Sequence, residues 1–270
     1  MSYNLLAGKK GIIFGALDAN SIAWKTATAC VANGAQIVLT NAPIALRMGE
    51  INKLAEVCNA PVIPCDVSSN EDVTNLFTKT MEHFGGKIDF VLHSIGMSIN
   101  IRKGKQYTEL DYGFGQKTLD ISAVSLHRVL ATAYKLDAIN EWGSVVALSY
   151  IAAQRVFPDY NEMADAKALL ESITRSFGYH YGVRNKVRVN SISQSPTKTT
   201  AGSGVKGFDG FMQYAAAMSP LGNATAEDCA NYIVSLFSDY TKMVTMQNLF
   251  HDGGFSYTGV SQAVVEQMEK

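Results

Sequence analysis

The feature that most limits how this chain can fold is an alternation. Short runs rich in Val, Ile, Leu and Phe recur between longer stretches of helical period, from residue 11 to residue 251. Brief apolar runs suit strands buried on both faces, and the helical stretches suit the crossovers that parallel strands require. The pattern predicts an α/β domain built on a doubly wound, seven-stranded parallel sheet, with strands at 11–14, 36–40, 61–64, 90–94, 144–148, 187–193 and 246–251. Helices are predicted over 22–33, 45–58, 70–84, 118–136, 159–181 and 226–238, with Gly34 and Gly85 placed to end two of them. No Ser- or Pro-rich linker and no repeat interrupts the series, so residues 1–270 read as one domain, and 47% hydrophobic residues suffice to fill its core.

Charge narrows the possible partners. With 23 Lys and Arg against 24 Asp and Glu, the chain lacks the concentrated positive field that bulk nucleic-acid binding needs. No apolar run reaches the ~18 residues of a membrane helix, and the N-terminus lacks the basic start and apolar core of a signal peptide. A soluble, cytoplasmic protein with no membrane partner is expected. Cys30, Cys58, Cys65 and Cys229 form no C-x-x-C pair, and the five histidines show no ligand spacing, so neither a disulfide nor a metal site is expected. Cys65 reads as a small core hydrophobe.

Candidate chemistry gathers at the carboxyl ends of the predicted strands, where open α/β sheets bind ligands. The first strand runs into Gly15-Ala16-Leu17-Asp18-Ala19-Asn20-Ser21-Ile22-Ala23. Small residues at a strand-turn-helix junction let the main chain approach a pyrophosphate, and the helix N-terminus adds free N–H groups. Only Gly15 matches a glycine fingerprint, so taken alone the segment reads equally well as an ordinary first turn. Asp66 and Val67 follow the third run, where the carboxylate is placed either to accept from an adenine amino group or to cap the next helix. Ser94, Ile95 and Gly96 end the fourth, and the glycine would let a ribose lie against the backbone. Two long connections, 96–115 and 194–211, leave the same strand ends and read as functional covers.

The most informative stretch is 148–167. Asp159 and Glu162 have the spacing of a capping box, so Tyr160 is expected to open a helix. Lys167 lies seven residues further on, ~700° of turn and ~10.5 Å of rise, so the two side chains should share a face. Of Met163, Ala164, Leu170 and Glu171, which flank Lys167 on that face, most are apolar, and an inward ammonium needs a partner. A tyrosine and a lysine converging on a nicotinamide ribose would set a proton donor beside a positive charge, which makes the hydroxyl a better donor. Taken singly, each residue has a blander reading: a core tyrosine, and a lysine that snorkels to the surface.

Together these segments resemble the enoyl-acyl-carrier-protein reductases of bacterial fatty-acid synthesis, a divergent branch of the short-chain dehydrogenase/reductase superfamily. The resemblance covers essentially the whole chain. It rests on Gly15 to Ala23, Asp66-Val67, His93-Ser94-Ile95-Gly96, Tyr150-x9-Tyr160-x6-Lys167, Arg188-Val189-Asn190, Ser195-Pro196-Thr197 and Asp252-Gly253-Gly254-Phe255. The paired tyrosines with x6 before the lysine mark this branch; the wider superfamily uses Tyr-x3-Lys, and residue 164 here is Ala. The resemblance implies a Rossmann fold with a substrate-binding lid at 194–211, in a cytoplasmic homotetramer of an oxidoreductase. It implies that hydride from a reduced nicotinamide reaches the β-carbon of a trans-2-enoyl thioester on acyl carrier protein, forming an enolate. Tyr160 would donate to the thioester oxygen, Tyr150 would line the acyl pocket, and Lys167 would hold the nicotinamide ribose. By the same resemblance Gly15, Ser21, Ile22, Ala42, Asp66, Val67, Ser94, Ile95, Gly96, Thr197, Lys198, Thr199, Thr200 and Ala201 contact the cofactor. Ser98, Tyr150, Tyr160, Val205 and Phe208 contact the substrate.

The second strand ends Thr40-Asn41-Ala42-Pro43, with no acid for a ribose 2′-hydroxyl, and only Arg47 nearby could meet a 2′-phosphate. NADH, leaving as NAD+, is expected over NADPH, which stays open. Two other functions compete. One is a short-chain carbonyl reductase, against which Ala164 counts; the other is a nucleotide-sensing regulator without chemistry, which has no reason to keep both tyrosines and Lys167. An acidic carrier protein should meet a chain of balanced charge through a local basic patch. Arg102, Lys103 and Lys105 in the first long loop, with Lys198 and Lys206 in the second, are its candidates.

Overall fold

The computed structural model describes residues 3–199 and 207–269. In chain order its elements are β1 (Lys10–Phe14), α1 (Ile22–Ala32), β2 (Gln36–Thr40), α2 (Pro43–Met48), α3 (Ile51–Cys58), α4 (Asn70–Phe84) and β3 (Ile88–His93). Then come α5 (Ile99–Arg102), α6 (Tyr112–Leu119), α7 (Ser125–Lys135), β4 (Ile139–Ser149), α8 (Glu162–Asn185) and β5 (Arg188–Gln194). The last are α9 (Phe208–Met218), α10 (Ala226–Phe237), β6 (Asn248–His251) and α11 (Gln262–Met268). The strands are all parallel, in the order β2-β1-β3-β4-β5-β6.

Six strands, not seven, are present among the described residues. The run at 61–64 makes only a bridge between Val62 and Leu39. Pro61 has no N–H to give toward β2, and beyond the bridge the Ile63 carbonyl is taken by the Thr40 hydroxyl (2.6 Å), so the ladder stops at one bridge and the segment stays an irregular sheet edge.

Successive side chains feed two cores. Ile12 and Phe14 of β1, Val91 of β3, Val145 and Ala147 of β4 and Val189 of β5 pack with residues of α4, α7 and α8. Ile13, Leu39, Phe90, Leu92, Val146 and Ile192 pack with α1, α3 and α10 on the other face. Both faces are covered, which is why the strands read as continuous apolar runs. Among the described residues no helix is long and apolar enough to cross a membrane. All four cysteines are buried free thiols.

At the sheet end away from the strands' carboxyl termini, the buried Arg188 closes α10. Its Nη1 donates to the carbonyls of Leu236 (2.8 Å) and Thr241 (3.0 Å), and its Nη2 to that of Ser238 (3.2 Å). These carbonyls lie at and just beyond a helix C-terminus, where acceptors lack intrahelical partners and the dipole favours a cation. Arg188→Met is expected to lower stability by about 2 kcal/mol, because the carbonyls lose their donor and stay buried. Urea unfolding of the two proteins checks this.

Helix limits depart from expectation in several places, α8 among them, which runs from Glu162 to Asn185 instead of 159–181. The stretch 45–58 is two helices, α2 and α3: Gly49 is extended between them, and the Glu50 N–H donates to the Leu17 carbonyl (2.9 Å), which ties this junction to the turn after β1. The connection predicted over 96–115 contains α5 and becomes helical again at Tyr112, and the helix predicted from 118 passes through a π turn at Asp120–Val124. The cover predicted over 194–211 ends as helix, since Phe208 opens α9. Of the residues singled out there, Thr200, Ala201, Val205 and Lys206 lie outside the described residues.

Candidate active site

Chain order reverses at β1, which has β2 on one side and β3 on the other. The crevice above the carboxyl ends of β1 and β3 is therefore where this sheet accepts a ligand. Gly15, the residue after β1, has φ +90°, and a Cβ there would stand 1.9 Å from the Ser94 carbonyl oxygen at the end of β3. The two strand ends meet backbone to backbone, and only glycine permits it. Ser21 caps α1: its Oγ accepts from the Trp24 N–H (3.2 Å) and donates to the Asp18 carbonyl (2.9 Å). Asn41 bridges the turns after β1 and β2, with Nδ2 donating to the Ala16 carbonyl (3.0 Å) and Oδ1 accepting from the Ala42 N–H (2.9 Å). The position after β2 thus joins two turns where an acid was sought.

Asp66 is exposed, and one of its oxygens accepts from the N–H (2.9 Å) and the hydroxyl (2.6 Å) of Ser68. Ser69, not Asp66, caps α4. Val67 is buried, its carbonyl taken by Arg128 Nη1 (2.5 Å). Gly96 is exposed, and a Cβ on it would lie 3.9 Å from Lys167 Nζ.

Lys167 is 7% exposed and donates to the Leu148 carbonyl (2.7 Å). Burial lowers its pKa to about 8, against the opposing charge of Glu171. That glutamate is held by the Ser149 hydroxyl (2.7 Å) and Gln154 Nε2 (3.2 Å). His93 lies buried close by. Ser125 Oγ donates its proton to the Ile121 carbonyl (2.6 Å), so His93 Nε2 is the donor to Ser125 (2.8 Å) and Nδ1 carries the bare lone pair. Burial, with the Lys167 charge second, holds this imidazole neutral with a pKa of about 3.

Tyr150 follows β4 directly, and its ring lies 5.0 Å from that of Tyr160. Phe157 (5.4 Å) and Phe211 (6.3 Å) also pack on Tyr150, and Phe255 stands 6.3 Å from both phenylalanines. Burial pushes both tyrosine hydroxyls above their ordinary pKa; for Tyr150, Tyr160 and Asp252 add to it. Both hydroxyls therefore stay protonated near neutral pH.

Tyr160 does not open the helix. It ends a short 3₁₀ turn, Pro158–Tyr160, and Asn161 follows with φ 44° and ψ −142° before α8 starts at Glu162. A non-glycine residue in such a region costs about 1–3 kcal/mol. Asn161, 4% exposed, is held there by its Nδ2 donating to the Lys105 carbonyl (2.6 Å). The capping box fails because Glu162 turns inward: its Oε1 accepts from Ser98 Oγ (2.8 Å), Thr118 Oγ1 (2.8 Å) and Asn100 Nδ2 (3.2 Å). The tyrosine and the lysine are therefore not related by one helix. They are linked through the end of β4, where Leu148 holds Lys167 and Tyr150 packs on Tyr160.

The family described as Enoyl-(Acyl carrier protein) reductase matches residues 15–256. The chain belongs to that family. The enoyl-[acyl-carrier-protein] reductase [NADH] FabI of Rickettsia bellii (strain RML369-C) is 36% identical over 267 residues, 98% of this chain and 100% of that one. The FabI-NADH complex from Alistipes finegoldii matches with a TM-score of 0.96 at 64% identity, covering 97% of this chain and 92% of that chain. The Bacillus cereus enzyme, solved with NADP+ and indole naphthyridinone, matches with a TM-score of 0.88 at 30% identity, covering 96% of this chain and 100% of that chain.

In this reductase Gly15 meets Ser94 where β1 and β3 end, and Gly96 lies against Lys167, while other candidates are placed differently. Ser98 is buried, its hydroxyl capping α5 through the Ile101 N–H (3.0 Å) and holding Glu162, so its side chain is not offered to an acyl chain. Lys198 is exposed and lies 3.6 Å from Asp209, so it is not a free cation. Thr197 Oγ1 donates to the Ser195 carbonyl (2.9 Å), and the Thr199 N–H to that of Thr197 (2.8 Å). Phe208 is half-buried at the start of α9. Phe157, Glu162 and Glu171 were not foreseen. The aromatics at 150, 157 and 160 could have signalled the first; nothing local distinguishes the other two from ordinary helix acids.

Proposed function

We propose that this reductase reduces trans-2-enoyl thioesters carried on acyl carrier protein, with NADH as reductant, in the elongation cycle of type II fatty-acid synthesis. The observation that carries the reading is the end of β4, where a protonated Tyr160 packs on Tyr150 beside the carbonyl that anchors Lys167. When bound, NADH supplies the hydride that the substrate β-carbon accepts. The residues fit a dinucleotide: Gly15 lets the ends of β1 and β3 close up at the switch point, Ser21 stands at the N-cap of α1, and Gly96 opens toward Lys167. Gly15, Ser21, Ile22, Ala42, Asp66 and Val67 would hold its adenosine and pyrophosphate. Ser94 to Gly96, Lys167 and Thr197 to Ala201 would hold the nicotinamide half.

Tyr160 donates to the thioester oxygen and stabilises negative charge as it develops there. Burial serves this role by keeping the proton on the hydroxyl until substrate takes it. Lys167 has N–H groups beyond the one given to Leu148, and these hold the ribose. Tyr150 lines the acyl pocket; its buried hydroxyl has no partner among the described residues. The packing of Phe211 on Tyr150 and Phe157 supports 194–211 as a cover over that pocket, within a single domain spanning 1–270. Exposed Tyr179 and Val183, one turn apart on α8, support association with further copies, which this reading takes to be a homotetramer. Four unpaired thiols accord with a cytoplasmic location.

Absorbance of the reduced nicotinamide tests the reading. Oxidation is expected with crotonyl thioester and not with a keto substrate, and kcat/KM is expected to be higher with NADH than with NADPH. Oxidation only with the ketone would make the chain a carbonyl reductase, and binding without oxidation a sensor. Should NADPH win, Arg47→Ala is expected to erase its advantage.

Among the described residues the candidate carrier-protein patch is Arg102, Lys103 and Lys105, all exposed. Reversing Lys103 and Lys105 to glutamate is expected to raise KM several-fold for the carrier-protein thioester and little for a coenzyme A analogue, a difference that shrinks at high salt. Equal effects on both substrates would place the docking surface elsewhere.

A further inference from the structure

Four buried polar side chains from three elements converge beside the catalytic turn. Ser98 and Asn100 come from the segment after β3, Thr118 from α6 and Glu162 from α8, and all three donors meet the single oxygen Oε1. Asn100 is also locked to the main chain of Asp111, donating to its carbonyl (3.1 Å) and accepting from its N–H (3.1 Å). Glu162 is 3% exposed, and its Oε2 has no partner among the described residues. A buried carboxylate is costly, and apolar side chains of similar size would fill this space at least as stably. What apolar side chains could not supply is a fixed geometry between the three elements.

That geometry bears directly on Tyr160. Glu162 is two residues away, across the strained Asn161, whose side chain is tied to Lys105 in the same segment. The turn is gripped on both sides of the strained residue, so the segment 98–105 and the first residue of α8 together fix where the Tyr160 ring and hydroxyl point. We propose that Glu162 is a positioning residue for Tyr160, acting through a single carboxylate oxygen that clamps the segment after β3 and α6 to the turn carrying the tyrosine. The inference rests on Tyr160 being the proton donor.

Because only Oε1 is engaged, glutamine can reproduce the clamp and valine cannot. Crotonyl coenzyme A turnover and NADH affinity would be measured for Glu162→Gln, Glu162→Val, Tyr160→Phe and the Tyr160→Phe/Glu162→Val double variant. Misplacing a reacting group by ~1 Å can cost ~100-fold, so Glu162→Val is expected to lower kcat by ~10- to 100-fold with NADH affinity within about twofold of wild type. Glu162→Gln is expected to keep kcat within about threefold. In the Tyr160→Phe background, Glu162→Val is expected to cost nothing further, since the group it aims is already gone.

Wild-type turnover in Glu162→Val, or the same fold loss in both backgrounds, would overturn the positioning role while leaving Tyr160 as donor. Wild-type turnover in Tyr160→Phe would overturn the donor reading itself, and the inference with it. If Glu162→Val does not fold, Thr118→Val removes one donor from the same oxygen and enters the same cycle, with a smaller loss expected and the same two overturning results.

Discussion

Replacing Tyr160 by phenylalanine is expected to lower kcat by about 10²- to 10³-fold, the usual cost of removing one donor to a developing oxyanion. NADH affinity should stay near wild type. Lys167→Ala should fail differently, weakening NADH binding as well as turnover, because its ammonium holds the cofactor while the tyrosine serves the substrate. The lysine also sets a pH dependence. Burial lowers its pKa to about 8, so in the free enzyme the ammonium is lost, and NADH affinity falls, as pH rises through about 8. Stability should move the other way. Between about pH 8 and the ordinary lysine value of about 10.4, the unfolded chain holds a proton that the folded chain has released, so folding becomes more favourable as pH rises through that window. Cofactor titrations and thermal unfolding at several pH values test both, and Lys167→Ala should erase both pH steps. Unchanged NADH affinity in Lys167→Ala would remove the lysine from the cofactor site.

Gly15→Ala is the other large effect. At φ +90° an alanine is already strained by roughly 1–2 kcal/mol. Its Cβ would also meet the Ser94 carbonyl oxygen at 1.9 Å, backbone of a central strand end that cannot swing aside as a side chain can. Relief requires β1 and β3 to part at the crevice. The expected loss is above about 3 kcal/mol, with NADH binding abolished in whatever folds. Gly85→Ala is the control, since it shares a positive φ of +66° but its Cβ would meet nothing within 4 Å. It should cost about 1 kcal/mol and leave kinetics untouched. Similar urea midpoints for the two variants would mean that the crevice does not depend on this backbone contact.

Much of the architecture was legible because its signals are local or periodic. Ile12, Ile13 and Phe14 feed different cores, so their run is apolar throughout, as are Phe90 to Leu92 in β3 and Val145 to Leu148 in β4, whereas β5 gives the cores only Val189 and Ile192. The residues 61–64 carry a similar apolar look, yet Pro61 withholds an N–H and the Thr40 hydroxyl takes the Ile63 carbonyl that a ladder needs. Lys167 was readable as an inward lysine in need of a partner, although the partner, the carbonyl of Leu148, belongs to another element.

The capping box at Asp159 and Glu162 shows where sequence reasoning stops. The spacing is right for a local bond worth about 1 kcal/mol. Three buried donors from residues 98, 100 and 118 compete for the same carboxylate, and a buried donor left unpaired costs more than a cap returns. Neighbours in sequence determined the strands, the turn glycines and the family's spacing of tyrosines and lysine, because those depend on backbone freedom and period alone. The direction of Glu162, the strain at Asn161, the neutral tautomer of His93 and the use of Asn41 to join two turns were decided by tertiary structure. Each depends on which distant polar groups lose water together, and no local pattern records that.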